Sequence, residues 1–527
     1  MFKFKLLLLA AFCGLCVYIY AIIEMPEVNI TNIFTDLGTA LFVGLALIAA
    51  FFGYRYWAIH HGKSYKLQMK ALGKLKKNAD DAHGSADFAY SKDLKKLGVK
   101  RKDGLILGKF EEKFVRFKQP GHLITFAPTR SGKGVGHVIP NLLDHPGSVI
   151  VNDIKGENFA VTGRYRKEFS KVVTFAPFDE NSSCYNPLDF IRLGTTDEID
   201  DASLIADMII VDDNSNDPFW NREAKNIITG LILYVANESP PALRNLGEVR
   251  YLIMQAKKDF EFTIRDMYKS KNAFVKKVAS SVGATEPKVL ASVLSTAKSQ
   301  TAVWDSPRLT AITSRSEFQL EDLKNEVLSL YVIIPPEYLD VYKPIIRLIV
   351  GLATVAMTRI KKVPKDPVLF IIDEFPALGH MKPIESGIGY LAGYGVSLWM
   401  FIQDLNQIKD IYERWGTFLS NCSVRMAFGT NDVETAKVLS EMLGTTTIRV
   451  EGEGTSSDAG FKLLGSKNST STNVSETARP LMTPDEVMRM PFDAQLIFVQ
   501  GGKPIVAEKV FYFSDPFFKG KFDSWDG

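Results

Sequence analysis

Two hydrophobic patterns alternate along this chain. The first is the short unbroken apolar run: Leu123–Phe126, Ser148–Asp153, Lys171–Phe175, Leu328–Ile334, Val368–Ile372, Val396–Ile402 and Ser423–Phe428. Runs without polar alternation are what strands read as when a parallel sheet is covered on both faces. The second pattern is helical spacing. From 195 to 310 it dominates: Leu204, Ile205, Met208 and Ile209, then Ala224, Ile227, Ile228, Leu231 and Val235, then Leu246, Val249, Leu252 and Ile253. With no convincing buried strand among them, these residues read as an all-α insertion inside an α/β domain. Lys343–Arg359 is apolar on every side but short and broken by Arg347, so it reads as a core helix and not a membrane span. Later, 451–478 is rich in Gly, Ser, Thr and Asn and reads as a mobile loop. A helix from Pro484 to Met490 behind Thr483 follows, then strands Gln495–Gln500 and Ile505–Phe513 around Gly501-Gly502.

The first sixty residues carry a different signal. Residues 6–23 are apolar and uncharged, about the ~20 that a bilayer requires. Lys3 and Lys5 precede them, the opening a secretory signal peptide also has, but no A-x-A-like site follows. A second apolar run, 37–57, comes almost at once, and the segment between them is acidic (Glu24, Glu27, Asp36). Beyond it stand Lys63, Lys66, Lys70, Lys74, Lys76 and Lys77. Positive charge at both outer ends predicts two transmembrane helices with the bulk of the chain cytoplasmic. The basic stretch reads as juxtamembrane charge facing anionic lipid in preference to a DNA-binding stripe. The expected organisation is an anchor (1–60), a basic connecting region (61–118), a nucleotide-binding domain in two pieces (119–194 and 311–527) and the insertion (195–310).

Composition adds little. The 527 residues are 46% hydrophobic and 23% charged with a net charge of +3, an ordinary folded balance that neither demands nor excludes nucleic acid. Four scattered cysteines make no disulfide framework. Cys13 and Cys16 lie inside an apolar run without His or acidic neighbours, so they read as packing.

The chemistry is concentrated at strand ends. Leu123–Phe126 runs into Ala127-Pro128-Thr129-Arg130-Ser131-Gly132-Lys133-Gly134-Val135-Gly136, and a helix can start at His137–Leu143. A strand, a Gly-rich turn holding a lysine and a helix form a phosphate-binding loop: backbone N–H groups wrap the phosphates and the lysine reaches their terminal oxygens. The usual spacing would have Gly at 127 and Ser or Thr at 134; Ala127 and Gly134 depart from it. The bland alternative is a turn with a surface lysine. Val368–Ile372 ends in Asp373-Glu374, where phosphate-loop ATPases place a Mg²⁺-holding acid. Glu374 is then positioned to polarise the attacking water. Gln403, at the tip of the Val396–Ile402 strand, is placed to sense the γ-phosphate. Arg425 is either a buried partner for a carboxylate or a charge offered to a nucleotide. Asp153 and Lys155 lie at another strand's carboxyl end, where open α/β sheets put ligands, although a local ion pair explains them equally well.

Taken together, 127–136, Val151–Glu157, Asp217–Trp220, Asp373–Gly379, Ala392–Gly395, Gln403–Gln407 and Arg479–Val487 resemble the coupling-protein ATPases of type IV secretion and conjugation systems, over almost the whole chain. The resemblance implies an inner-membrane ATPase with a cytosolic RecA-like domain interrupted by an all-α domain, assembled as a hexameric ring. It would deliver relaxase–DNA complexes or effector proteins to the secretion machinery using ATP and Mg²⁺. By the same resemblance Thr129, Arg130, Ser131, Gly132, Lys133, Gly134 and Val135 bind the nucleotide and Asp373 the Mg²⁺. Glu374 activates water, Gln403 reports the γ-phosphate, and Arg425 or Arg414 acts on a neighbouring subunit. The family commonly shows this variant loop; which group replaces the missing Mg²⁺ hydroxyl, Ser131, Thr129 or water, stays open. Two rival readings remain: a chromosome-partition DNA translocase, and a receptor whose nucleotide only fixes its oligomeric state. Cargo choice is expected to be set in the 195–310 insertion.

Overall fold

Apolar runs without alternation can form a sheet only if something covers both of its faces, and the computed structural model meets that condition. It describes residues 81, 83–210, 218–456 and 469–525. The chain divides into two units, Met1–Ala71 and Leu72–Gly527, and every described residue belongs to the second. The apolar spans expected at 6–23 and 37–57 and the lysines at 63–77 lie outside the described residues.

The strands are β1 (Leu105–Phe110), β2 (Lys113–Phe117), β3 (His122–Phe126), β4 (Val149–Asp153), β5 (Lys171–Phe175), β6 (Leu328–Ile333), β7 (Val368–Ile372), β8 (Val396–Ile402), β9 (Cys422–Ala427), β10 (Thr445–Ser456), β11 (Ser469–Pro480), β12 (Ala494–Val499) and β13 (Ile505–Glu508). Eleven of them form one sheet in the order β2-β1-β13-β12-β9-β3-β8-β7-β4-β6-β5. The stretch from β9 to β5 is parallel throughout. The flank from β12 to β2 is antiparallel. Every residue of β3, β4, β7 and β8 is buried, as strands enclosed on both faces must be.

Two consequences position the site. First, β7 and β8 insert between β3 and β4, so the carboxyl ends of β3, β8 and β7 line up: Phe126 pairs with Ile402 and Ile372 with Met400. Second, β1 and β2, inside the stretch read as a connection (61–118), are strands of this same sheet and extend its antiparallel flank.

Helices fill the span between β5 and β6, among them Glu198–Ile209, Phe219–Glu238, Ala273–Ala284 and Pro287–Gln300. Local chemistry starts two helices of this span, Leu246–Met254 and Ala273–Ala284: Asn245 accepts from Glu248 N–H, and Asn272 from Phe274 and Val275 N–H, satisfying donors no helix can pair internally. Among the described residues one helical stretch, Pro336–Arg359, is long and apolar enough to cross a membrane. It is a core helix. Arg347, buried within it, donates to the carbonyls of Met208 (3.2 Å), Leu378 (3.0 Å) and His380 (2.5 Å).

The expectation of a loop over 451–478 is corrected. Thr445–Ser456 and Ser469–Pro480 pair antiparallel over their full length into a two-stranded ribbon, and only 457–468 falls outside the described residues. Backbone pairing runs the length of the ribbon and β-branched Thr and Val favour strands, so a reading based on apolar content passes over it. The last elements are shorter than expected, a helix at Pro484–Met488 and β13 ending at Glu508.

Candidate nucleotide-binding site

The loop after β3 is shaped by its backbone. Ala127 N–H donates to Ile402 O (2.8 Å), locking the loop's start to the end of β8. Arg130 (φ +60°) and Gly132 (φ +87°) are both left-handed. Such turns make concave nests of N–H groups that suit anions. Gly132 takes this conformation without steric cost, whereas Arg130 holds it at about 1–3 kcal/mol. The helical segment opens immediately afterwards with a π turn, Gly134–Val138, continued by α-helix Ile139–Asp144.

That segment is anchored underneath by buried polar groups. Asn141 Oδ1 accepts from Ile106 N–H (2.8 Å), and its Nδ2 donates to Ile106 O (2.9 Å) and His137 O (2.8 Å). His137 meets Gln495 Oε1 at 2.8 Å, while Gln495 Nε2 donates to Leu107 O at 2.9 Å. Burial pushes the His137 pKa down to about 3, so it is neutral. The loop helix is thus fixed to β1 and β12 by a buried hydrogen-bond network, complete but for His137 Nδ1, that sequence periodicity does not reveal.

At the loop's other flank one circuit joins the predicted residues. Lys133 Nζ donates to Asp373 O (2.8 Å) and Glu374 Oε2 (2.9 Å), with Asp373 Oδ1 at 3.5 Å, in ion-pair but not hydrogen-bond reach. Gln403 Nε2 donates to Glu374 Oε1 (3.1 Å), and Thr129 Oγ1 donates to Gln403 Oε1 (3.1 Å), returning to the loop. Burial disfavours the Lys133 ammonium, but the two carboxylates outweigh it and raise its pKa. Burial raises Asp373, more than Lys133 lowers it. Asp153, at the end of β4, accepts from Phe159 N–H (2.8 Å) and Asn158 Nδ2 (3.3 Å) at the start of helix Glu157–Arg166. Burial first, with Asp373 adding, takes its pKa up to about 7. Lys155 is exposed and apart from this circuit.

Donors for a metal-bound nucleotide are present. Ser131 Oγ and Asp373 Oδ1 are buried without hydrogen-bond partners, a hydroxyl and a carboxylate oxygen of the type Mg²⁺ takes. Gly134 offers no ligand, yet a Cβ built there meets nothing within 4 Å, so no neighbour forces glycine. Arg130 is exposed and Val135 half-buried. Arg425 stands in the middle of β9, paired with Ile124 and Phe498, with its Nε unpartnered. Among the described residues no hydrogen bond or ion pair joins it to Lys133, Asp373, Glu374 or Gln403. Arg414 is exposed.

One residue at the loop carried no signal in the sequence. Lys509, just past β13, is buried and donates from Nζ to Ser131 O (2.8 Å), its ammonium lying 3.8 Å from the Phe428 ring centre and 4.7 Å from that of Phe492. Burial lowers its pKa to about 7, with Asp493 opposing.

The sequence and the fold have relatives. The family model for the type IV secretory system conjugative DNA transfer proteins matches residues 77–524. A conjugal transfer protein TraG of Escherichia coli is 32% identical over 502 residues, covering 84% of this chain and 78% of the relative. Protein VirD4 of Agrobacterium fabrum is 29% identical over 461 residues, covering 84% of this chain and 67% of the relative. Among solved structures, the bacterial conjugative coupling protein TrwB lacking its N-terminus superimposes with a TM-score of 0.63 at 15% identity, covering 81% of this chain and 92% of that one. TrwB in complex with ADP and Mg²⁺ gives 0.62 at 14%, covering 81% and 94%. On the family match and the TraG relationship together, the chain belongs to the type IV secretory system conjugative DNA transfer family.

Proposed function

We propose that this protein is the coupling ATPase of a conjugative type IV secretion system, a motor that brings relaxase–DNA complexes or effector proteins to the secretion channel. The observation that carries this is the circuit Lys133–Glu374–Gln403–Thr129 at the aligned ends of β3, β7 and β8, in a chain of the conjugative transfer family. The TrwB neighbours were solved with an ATP analogue and with ADP and Mg²⁺, which supports the same ligands here.

The mechanism follows from what shares each donor. The Lys133 ammonium donates to Glu374 Oε2 and the Asp373 carbonyl. Phosphate oxygens compete for those donors, and a lysine drawn onto them releases Glu374 Oε2 to orient and polarise a water. Gln403 bridges Glu374 and Thr129, so a change at the terminal phosphate is transmitted from loop to base through one amide. Asp373 and Ser131 would hold Mg²⁺, which would supply positive charge against the charge developing on the phosphates. Arg414, being exposed, suits a neighbouring subunit's site better than Arg425, which is set within the sheet. The remaining assignments belong to this reading: a RecA-like domain from 119–194 and 311–527, the helical insertion 195–310 as the cargo region, transmembrane helices at 6–23 and 37–57, the bacterial inner membrane, and a hexamer.

Two variants of the full-length protein test it. Lys133→Ala should lose nucleotide binding and turnover together. Glu374→Gln should keep binding and lose turnover by on the order of 10²–10⁴-fold, as removal of a general base does. Full ATP turnover by Lys133→Ala would overturn the assignment. Undiminished DNA transfer by Glu374→Gln would make the protein a nucleotide-regulated receptor and not a motor.

A further inference from the structure

The circuit around Glu374 fixes the direction in which a nucleotide must lie. Its terminal phosphate belongs beside Lys133, Glu374 and Gln403, on the side of β3 occupied by β8 and β7. The rest of the molecule must therefore run the other way, over the flank formed by β9, β12 and β13. Three phenylalanines stand there. The Phe492 and Phe511 rings are parallel within 5° at 5.8 Å between centres, and Phe513 continues the stack at 5.8 Å and 30°. Phe492 is 55% and Phe513 59% exposed, and Phe511 is half-buried. They also abut the loop, since a Cβ built on Gly132 would lie 3.3 Å from Phe492 Cζ and 3.7 Å from Phe511 Cε1. Lys509 ties the two together by donating to Ser131 O while its ammonium lies over the Phe428 and Phe492 rings.

Parallel rings held against a phosphate loop, at the end away from the hydrolytic groups, offer a face on which a flat heterocycle stacks. Resting on the nucleotide-binding reading above, we propose that the Phe492–Phe511 shelf is the subsite for the nucleotide's base, with Phe513 at its outer edge and Lys509 as the positioning residue that keeps shelf and loop in register. Every purine presents a π-face, so stacking recognises the base without reading its edge. Adenine and guanine nucleotides should therefore bind within a few-fold of one another.

The test separates the base from the phosphates. Calorimetric titration of the full-length protein with ADP, with GDP and with inorganic tripolyphosphate is compared for the unsubstituted protein, the double variant Phe492→Ala/Phe511→Ala, and Phe492→Trp. The double variant should lose ADP and GDP affinity by on the order of 10- to 100-fold, the value of one base–aromatic stack. Its tripolyphosphate affinity should stay unchanged, and Phe492→Trp should keep nucleotide binding. Parallel loss of ADP and tripolyphosphate would overturn the subsite and make the rings a mere support for the loop. Unchanged ADP binding would also overturn it, leaving the exposed stack as a contact for another chain. If the unsubstituted protein bound neither ADP nor tripolyphosphate, the nucleotide-binding reading itself would fail.

Discussion

A half-buried lysine needs anionic partners, and Lys133 finds them in the acids it is proposed to serve. The Asp373 and Glu374 carboxylates keep it charged, and its ammonium donates to Glu374 Oε2 and the Asp373 carbonyl through the N–H groups that phosphate oxygens would compete for. Its neighbour Gly134 is a different case. The position is helical and open, so glycine there only adds conformational freedom to the unfolded chain. Gly134→Ser should be stabilising by about 0.4–1 kcal/mol, read as a higher thermal midpoint. It would also add the hydroxyl that the usual phosphate loop directs at Mg²⁺, so the Mg²⁺ concentration giving half-maximal turnover should fall. A lower midpoint would show a steric demand at 134, and an unchanged Mg²⁺ requirement would show that Ser131 and Asp373 suffice.

At the scale of elements, the phosphate loop depends on the helix behind it, and that helix depends on strands far away in the sequence. Asn141 pairs with both backbone groups of Ile106 in β1, as a strand neighbour would. Asn141→Leu keeps the volume but strands a buried N–H and a buried carbonyl, each at about 1–3 kcal/mol. The expected outcome is a loss of roughly 2–4 kcal/mol in denaturant unfolding. Nucleotide affinity should weaken as well, because the loop rides on this helix. A loss below 1 kcal/mol would mean that water satisfies Ile106 and that the loop is held elsewhere. The β10–β11 ribbon makes the complementary point: twelve backbone pairs of mostly small polar residues form a regular element.

Across the molecule, three buried histidines impose a pH dependence. His122 accepts from Leu398 N–H at Nδ1 (3.1 Å) and is lowered by burial to about 4. His145 pairs with Pro367 O and, like His137, is lowered by burial to about 3. Folded, all three stay neutral through the range in which the unfolded chain, with pKa near 6.5, takes up protons. Their contribution is complete above that value and is lost as pH falls below it, at about 2 kcal/mol each between pH 7 and 5. Asp153 has the opposite sign. Its folded pKa near 7 lies above the unfolded 3.8, so acidification through this window favours the fold. Asp373, also raised by burial, acts in the same direction, and two carboxyls against three histidines leave a net loss. The thermal midpoint should fall from pH 7 to pH 5, and Asp153→Asn should steepen that fall. A midpoint that held or rose on acidification would show the histidines to be solvated.

Much of the placement of the proposed nucleotide site's residues was legible beforehand because its parts are local. A buried parallel strand announces itself as an apolar run, and the residues directly after it necessarily fall at one edge of the sheet, so Lys133, Asp373, Glu374 and Gln403 could be named from position alone. The helical span between β5 and β6 was legible for the same reason, through its spacing of apolar residues. What the sequence could not supply was adjacency between distant segments. Only the strand order puts β7 and β8 between β3 and β4, closing Thr129, Gln403, Glu374 and Lys133 into one circuit. Only the antiparallel return of β12 and β13 carries Lys509 and the Phe492–Phe511 pair to the loop. Periodicity reports which face of an element is buried; which element lies against that face is decided when the whole sheet is assembled.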